Sequence, residues 1–219
     1  MRLAVPLFVA ALAMAPARAL GQAEAMPAYP GTSGAPLYVS QILPAPPKGD
    51  YVHDGLYFRY AVGPTYLRVT GDGPAGSIAT GGVGIGEVLA IGGTPAPGLV
   101  IAGAAVAHLA VDGSQAVVNL GEYGLLADWF PDPGGGWHVG GSIGLGSLDY
   151  ARNDDDTRGY SVGGTVFGGY DVWVAPQWSV GALLAATLSP RVGMQDAGPL
   201  DPLELMLASI AIEATVLCH

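Results

Sequence analysis

The residues best placed to do chemistry in this chain are Arg59, Asp128, His138, Asp171 and Glu213, each an ionisable group inside an otherwise apolar, alternating stretch. A charge taken out of water has to be paired or neutralised. The five are therefore expected on one enclosed side of their segments, as a polar cluster in a lumen. Arg59 and Glu213 lie at similar depth when counted from the two ends of the alternating region, which predicts an Arg59–Glu213 ion pair. Asp128 and His138 flank residues 131–136 and are expected to face one another across a hairpin, with Asp171 near the same end. Such a cluster suits a polar constriction or a proton-responsive gate, or it fills and staples an interior. The staple is the expectation, because buried charges need partners whatever the function.

Other motifs carry less. Gly140, Ser142 and Gly144 match the G-x-S-x-G pattern, but they lie inside an alternating Gly-rich stretch, without the sharp strand-to-helix turn that exposes a nucleophile. Residues 82–86, Gly-Val-Gly-Ile-Gly, lack the spacing of a dinucleotide loop. His53, His108, His138 and His219 are far apart and show no metal-ligand spacing. Asp154, Asp155 and Asp156 form the densest acidic cluster and are a weak candidate for Ca²⁺; a solvated loop is the plainer reading. No cofactor is expected. The single cysteine, Cys218, reads as a small apolar filler. Lys48, Arg59, Arg68, Arg152, Arg158 and Arg191 are scattered through a chain of net charge −10, so no footprint for nucleic acid exists.

The elements that must position these groups are strands. From residue 55 onward, apolar and small residues alternate with period 2 in eight segments: 56–69, 77–91, 99–111, 118–130, 137–150, 160–174, 178–188 and 205–217. Leu56, Phe58, Tyr60, Val62 and Tyr66 share one face of the first, and Ala208, Ile210, Ile212, Ala214 and Val216 share one face of the last. Ala- and Leu-rich residues 181–188 also suit a helix. In 203–211 the alternation and the β-branched residues just beyond argue for a strand. Glu87 shares parity with Val83, Ile85, Leu89 and Ile91, which implies either that those four face inward or that a bulge changes the register. Asp171 and Trp173 raise the same conflict.

Connections 94–98, 131–136 and 175–177 are short and proline-bearing, whereas 70–76, 112–116, 151–159 and 189–204 are more acidic and mostly longer. Trp129, Trp137, Trp173 and Trp178 flank two of the short turns, and Tyr66, Tyr123, Tyr150 and Tyr160 lie toward the opposite ends. Two aromatic belts around an apolar band is the sorting that a bilayer imposes. The fold class that follows is all-β: an eight-stranded antiparallel up-and-down transmembrane β-barrel. The 35 glycines suit the interior of so narrow a barrel.

Upstream, Arg2, the apolar residues 3–14 and the small residues at 17–19 and 21–23 read as a secretory signal peptide over 1–23. Residues 24–54 carry Pro27, Pro30, Pro36, Pro44, Pro46 and Pro47 and read as a periplasmic arm or linker, leaving 55–219 as the barrel.

In its eight alternating segments, short Pro/Gly turns and aromatic belts, the region from Asp54 resembles the small outer-membrane barrels of the OmpA/OmpX/OmpW-like class. Residues 54–63, DGLYFRYAVG, open like their first strands, and residues 91–100 and 127–133 resemble turns in Gram-negative barrel proteins. The resemblance implies a bacterial outer-membrane location, contact with outer-membrane lipid and lipopolysaccharide, passage through the outer-membrane assembly machinery, and a single-copy barrel. It implies a non-enzymatic structural or surface-interaction role, or a narrow pore. One alternative is a lipid-modifying barrel enzyme, for which His108 is the only seed. The other is a soluble lipocalin-like barrel, whose aliphatic stripes would point into a cavity.

Overall fold

The structure is a computed structural model that describes residues 50–73, 76–112, 117–152, 155–190, 192–195 and 204–219. The signal segment, most of the Pro-rich arm and Asp154 lie outside the described residues. Strong period-2 patterning leaves a chain little alternative to extended structure. All eight alternating segments are strands, including residues 181–188, where helix was a rival. The elements are β1 (Gly55–Gly73), β2 (Gly76–Ala96), β3 (Leu99–Asp112), β4 (Val117–Trp129), β5 (Trp137–Arg152), β6 (Asp155–Ala175), β7 (Trp178–Pro190), β8 (Val192–Gln195) and β9 (Glu204–Cys218).

Each strand from β1 to β7 runs antiparallel to the next; β7 then pairs with β9, and β9 with β1, which closes an eight-membered ring. Closure removes the free edges that an open sheet would expose. The short β8 lies outside the ring order, pairing with β6 at Arg158–Ser161 beyond the point where β7 stops. Two of the expected long loops are instead strand. The β1–β2 ladder continues to Gly73 and Gly76, and the β5–β6 ladder to Arg152 and Asp155. Asp155 and Asp156 thus open β6 rather than sit in a loop. Period-2 alternation of apolar residues fades in these acidic, Gly-rich stretches, which hides the strand from a periodicity reading.

The faces separate cleanly. Outward residues include Leu56, Tyr66, Ile85, Ile101, Leu125, Ile143, Leu145, Val166, Leu184, Ile210 and Ile212, all substantially exposed. Inward residues form two apolar layers. One gathers Ala61, Val88, Val106, Leu126, Phe167, Leu183 and Ala211; the other gathers Leu67, Val69, Leu120, Leu148 and Leu207 toward the long-connection end. Exposed aliphatics around the whole ring are the reverse of a water-soluble surface, where large apolar patches are rare.

Neither expectation for Glu87 holds. Val83, Ile85, Leu89 and Ile91 face outward, the β1–β2 register runs through Glu87 without a shift, and the only β2–β3 irregularity lies between Gly93 and Ala96. Glu87 is therefore an exposed acid on the apolar outer face.

Candidate functional site

Arg59 leaves β1 on the inward side and is 1% exposed. Its Nη2 donates to Asp128 Oδ2 on β4, across the lumen, at 2.7 Å. The guanidinium also lies 5.0 Å from the ring centre of Phe167 and 5.6 Å from that of Tyr57, which gives it aromatic faces where water is excluded. The Tyr57 hydroxyl donates to the same Asp128 oxygen at 3.3 Å. The other oxygen, Oδ1, is 3.0 Å from His138 Nδ1. The far side of that imidazole, Nε2, is 3.2 Å from Asp171 Oδ2, off hydrogen-bond alignment. Asp171 Oδ1 in turn accepts from Thr215 at 2.7 Å. Side chains from β1, β4, β5, β6 and β9 are thus tied across the interior. Hydrogen bonds to charged groups contribute more than neutral ones, about 1.5–3 kcal/mol each.

The structure places all five expected lumen residues inside but changes one pairing. Arg59 pairs with Asp128 and not with Glu213, whose two carboxylate oxygens are buried without a hydrogen-bond partner. The reason is stagger. Cys218 sits opposite Phe58 rather than opposite the first residue of β1, so Arg59 faces Leu217 and Glu213 lies further up the wall. Closing a barrel requires such shear, and counting from chain ends ignores it.

Above this cluster, His108 meets hydroxyl groups that sequence reasoning left out. His108 Nε2 is 3.3 Å from the Thr187 hydroxyl and 3.4 Å from that of Ser209, and Thr165 and Thr187 share a hydroxyl contact at 2.8 Å. Ser209 therefore supplies the hydroxyl neighbour that His108 lacked in the sequence, and both side chains are buried inside the ring. Glu122 accepts from Ser189 at 2.9 Å, beside a cavity of about 10 Å³, room for one water. A Cβ at Gly86 would lie 2.9 Å from Glu213 Oε1 and 3.0 Å from His108 Nδ1, so a glycine there leaves both side chains their room. Ser142 of the G-x-S-x-G pattern sits mid-strand in β5, opposite Leu126 and Thr165.

The short-turn end is closed by a plug that no motif announced. Residues 50–54 lie across it and bond to all three short turns. Tyr51 N donates to Pro176 O at 2.9 Å, His53 N to Pro133 O at 2.8 Å, and Gly98 N to His53 O at 3.0 Å. Gly98 adopts φ +74°, and a side chain there would meet the Phe130 carbonyl. His53 stacks on Phe130 with ring centres 3.6 Å apart and meets His219 edge-on. The His53 Nε2–H donates to Gly135 O at 2.9 Å, which leaves Nδ1 to accept from His219 Nε2–H at 2.7 Å. This pattern requires a neutral His53 ring, since its Nδ1 must accept.

Trp173 belongs to the plug and not to the outer belt. It is half-buried, 4.6 Å from His53 between ring centres, and its Nε1–H donates to Gly134 O at 3.1 Å. Asp171 and Trp173 both turn inward, which resolves their shared parity. Trp129 and Trp137 face outward, Trp137 against Tyr170, and Trp178 is half-buried.

Burial lowers the pKa of His53 to about 4 and that of His219 to about 3. Below the ordinary histidine value of about 6.5 the unfolded chain binds protons that the folded plug refuses, so stability rises with pH across that window. The expected result is a urea midpoint that falls as pH drops from about 6.5 to about 3, the contribution of the plug flattening below that. His53→Phe should remove part of this slope; an identical slope in that variant would contradict the neutral plug.

No protein-family model matches the chain, and no curated protein sequence matches it. Among solved structures, neisserial surface protein A is similar at 15% identity and TM-score 0.50, over 73% of this chain and 96% of that one. The fold is that of the small outer-membrane barrels. Ail of Yersinia pestis is similar at 10% identity and TM-score 0.45, over 75% of this chain and 99% of that one. OprG of Pseudomonas aeruginosa is similar at 11% identity and TM-score 0.37, over 78% of this chain and 99% of that one. At these identities the likeness concerns fold.

Proposed function

We propose that this protein is exported, resides in a bacterial outer membrane and acts there as a closed, non-enzymatic barrel with a structural or surface-interaction role. The observation that carries the reading is the pairing of an apolar outer face around the entire ring with an interior tied shut by Arg59, Asp128, His138 and Asp171. Hydrocarbon is the solvent that such an exterior suits. The lipocalin-like alternative needs the aliphatic stripes inside, and they face out. Filled apolar layers and the His53–Phe130 plug support a barrel without a conducting lumen. The short-turn end, with residues 50–54 beneath it, is then periplasmic; the β1–β2 and β5–β6 hairpins face outward beside lipopolysaccharide. Passage through the outer-membrane assembly machinery is part of the same reading.

Fractionation and gel mobility test it. The expected result is recovery in the outer membrane, a mobility shift on boiling, and no stepwise conductance in planar bilayers. Recovery as a soluble periplasmic protein with unchanged mobility overturns the membrane reading, and stepwise conductance overturns the closed lumen. A deletion strain should keep its lipid profile; a lost lipid modification restored by the wild type but not by His108→Ala would establish the enzyme reading instead.

A further inference from the structure

Glu87 takes no part in the lumen network. It lies near the middle of β2 on the outward face, between the exposed Ile85 and Leu89 along its own strand. Val62 on β1 and Ala107 on β3 sit beside it. All four neighbours are apolar. An ionisable group facing hydrocarbon is costly, and it is a functional-site candidate wherever a partner meets it.

The Tyr60 phenol is an outward polar group diagonal to Glu87 across the β1–β2 ladder. Tyr60 pairs with Leu89, two residues along β2 from Glu87, on the same outer face. The two side chains share this face without a hydrogen bond between them within the chain. Arg68, also outward, pairs with Gly81 and so sits well toward the long-connection end, out of reach of Glu87. One face thus carries a donor and an acceptor side by side, each surrounded by apolar side chains.

We propose that this face is a self-association surface, on which a second copy of the chain docks through Glu87 and Tyr60. A two-fold axis along the membrane normal keeps the two copies at equal depth. Each Tyr60 hydroxyl then donates to the partner copy's Glu87 carboxylate, a reciprocal pair of the kind that an isologous interface requires. Such a charge-assisted bond is short and gains strength in a low-dielectric setting. The adjoining face of β3 presents Gly103, Ala105 and Ala107, small residues that let two walls approach closely. The sequence reading expected a single-copy barrel, and this proposal puts a pair in its place. This rests on the membrane reading of the outer face.

The test uses the full chain with Cys218→Ser, folded into phosphatidylcholine vesicles at low protein-to-lipid ratio. Energy transfer between donor- and acceptor-labelled copies should exceed that of random mixing. Ala107→Cys should cross-link copy to copy, and Ile143→Cys, on β5, should not. Glu87→Leu and Tyr60→Phe keep the outer face apolar and should each weaken association about tenfold or more. Transfer at the random level in the wild type, equal cross-linking at both positions, or undiminished association in Glu87→Leu overturns the proposal. A barrel that inserts, shifts its mobility on boiling and stays single refutes this inference alone. A chain that never inserts removes the membrane reading and this inference with it.

Discussion

Asp128→Ala should destabilise the barrel by about 3–5 kcal/mol, the cost expected when one partner of a buried ion pair is removed. The loss is large because of what stays behind. Arg59 would keep its charge at 1% exposure with its one carboxylate ligand gone. His138 would lose its Nδ1 contact and Tyr57 its acceptor. Deleting both ends of the pair has a different outcome. Arg59→Met with Asp128→Leu leaves no orphaned charge and replaces the pair with apolar volume, an exchange that is often neutral or stabilising. The expected result is that the double variant recovers most of the loss, read as urea unfolding midpoints in vesicles. A double variant as unstable as Asp128→Ala would show that the network, and not the orphaned charge, sets the cost.

The second large effect lies on the outer face. Ile143→Arg should cost about 2–4 kcal/mol, the range for a cation near the bilayer midplane on a barrel's lipid-facing side. Ile143 points outward from β5 between Leu125 and Gly164, at 65% exposure. In water, a substitution so exposed would be nearly neutral. Arg68, an outward arginine among the described residues, sits toward the long-connection end, where the penalty falls to about 0–1 kcal/mol. Comparing the refolding yield and the unfolding midpoint of Ile143→Arg in vesicles with those of the wild type separates the two solvents. A midpoint unchanged within error would mean that water, and not lipid, faces β5.

Strand positions and facing were legible because a half-buried strand writes its environment into every second residue, as Leu56, Phe58, Tyr60 and Val62 do. The inward setting of Arg59, Asp128, His138, Asp171 and Glu213 followed from the same rule. Who touches whom did not. Arg59 reaches Asp128 across the lumen from β1 to β4, and such contacts depend on shear and side-chain length, neither of which has a sequence period. The plug was illegible for another reason. His53, Phe130 and His219 sit just outside the strands, where alternation stops, and they meet only once the ring has closed. Trp173 misled because its position beside a short turn fits a belt and a plug equally well. Glu87 misled because an acid within a strand was expected to turn inward, and it faces outward as Arg68 does.

The account depends most on which solvent meets the outer face. Nitroxide labels at Leu145→Cys, Leu184→Cys and Ile212→Cys, each in a Cys218→Ser background, sample three separate strands, β5, β7 and β9. In vesicles, all three should be broadened by dissolved oxygen, which concentrates in hydrocarbon, and shielded from a water-soluble nickel chelate. Labels that the nickel chelate reaches freely, on a chain that has folded, would place these strands in water and contradict the membrane barrel.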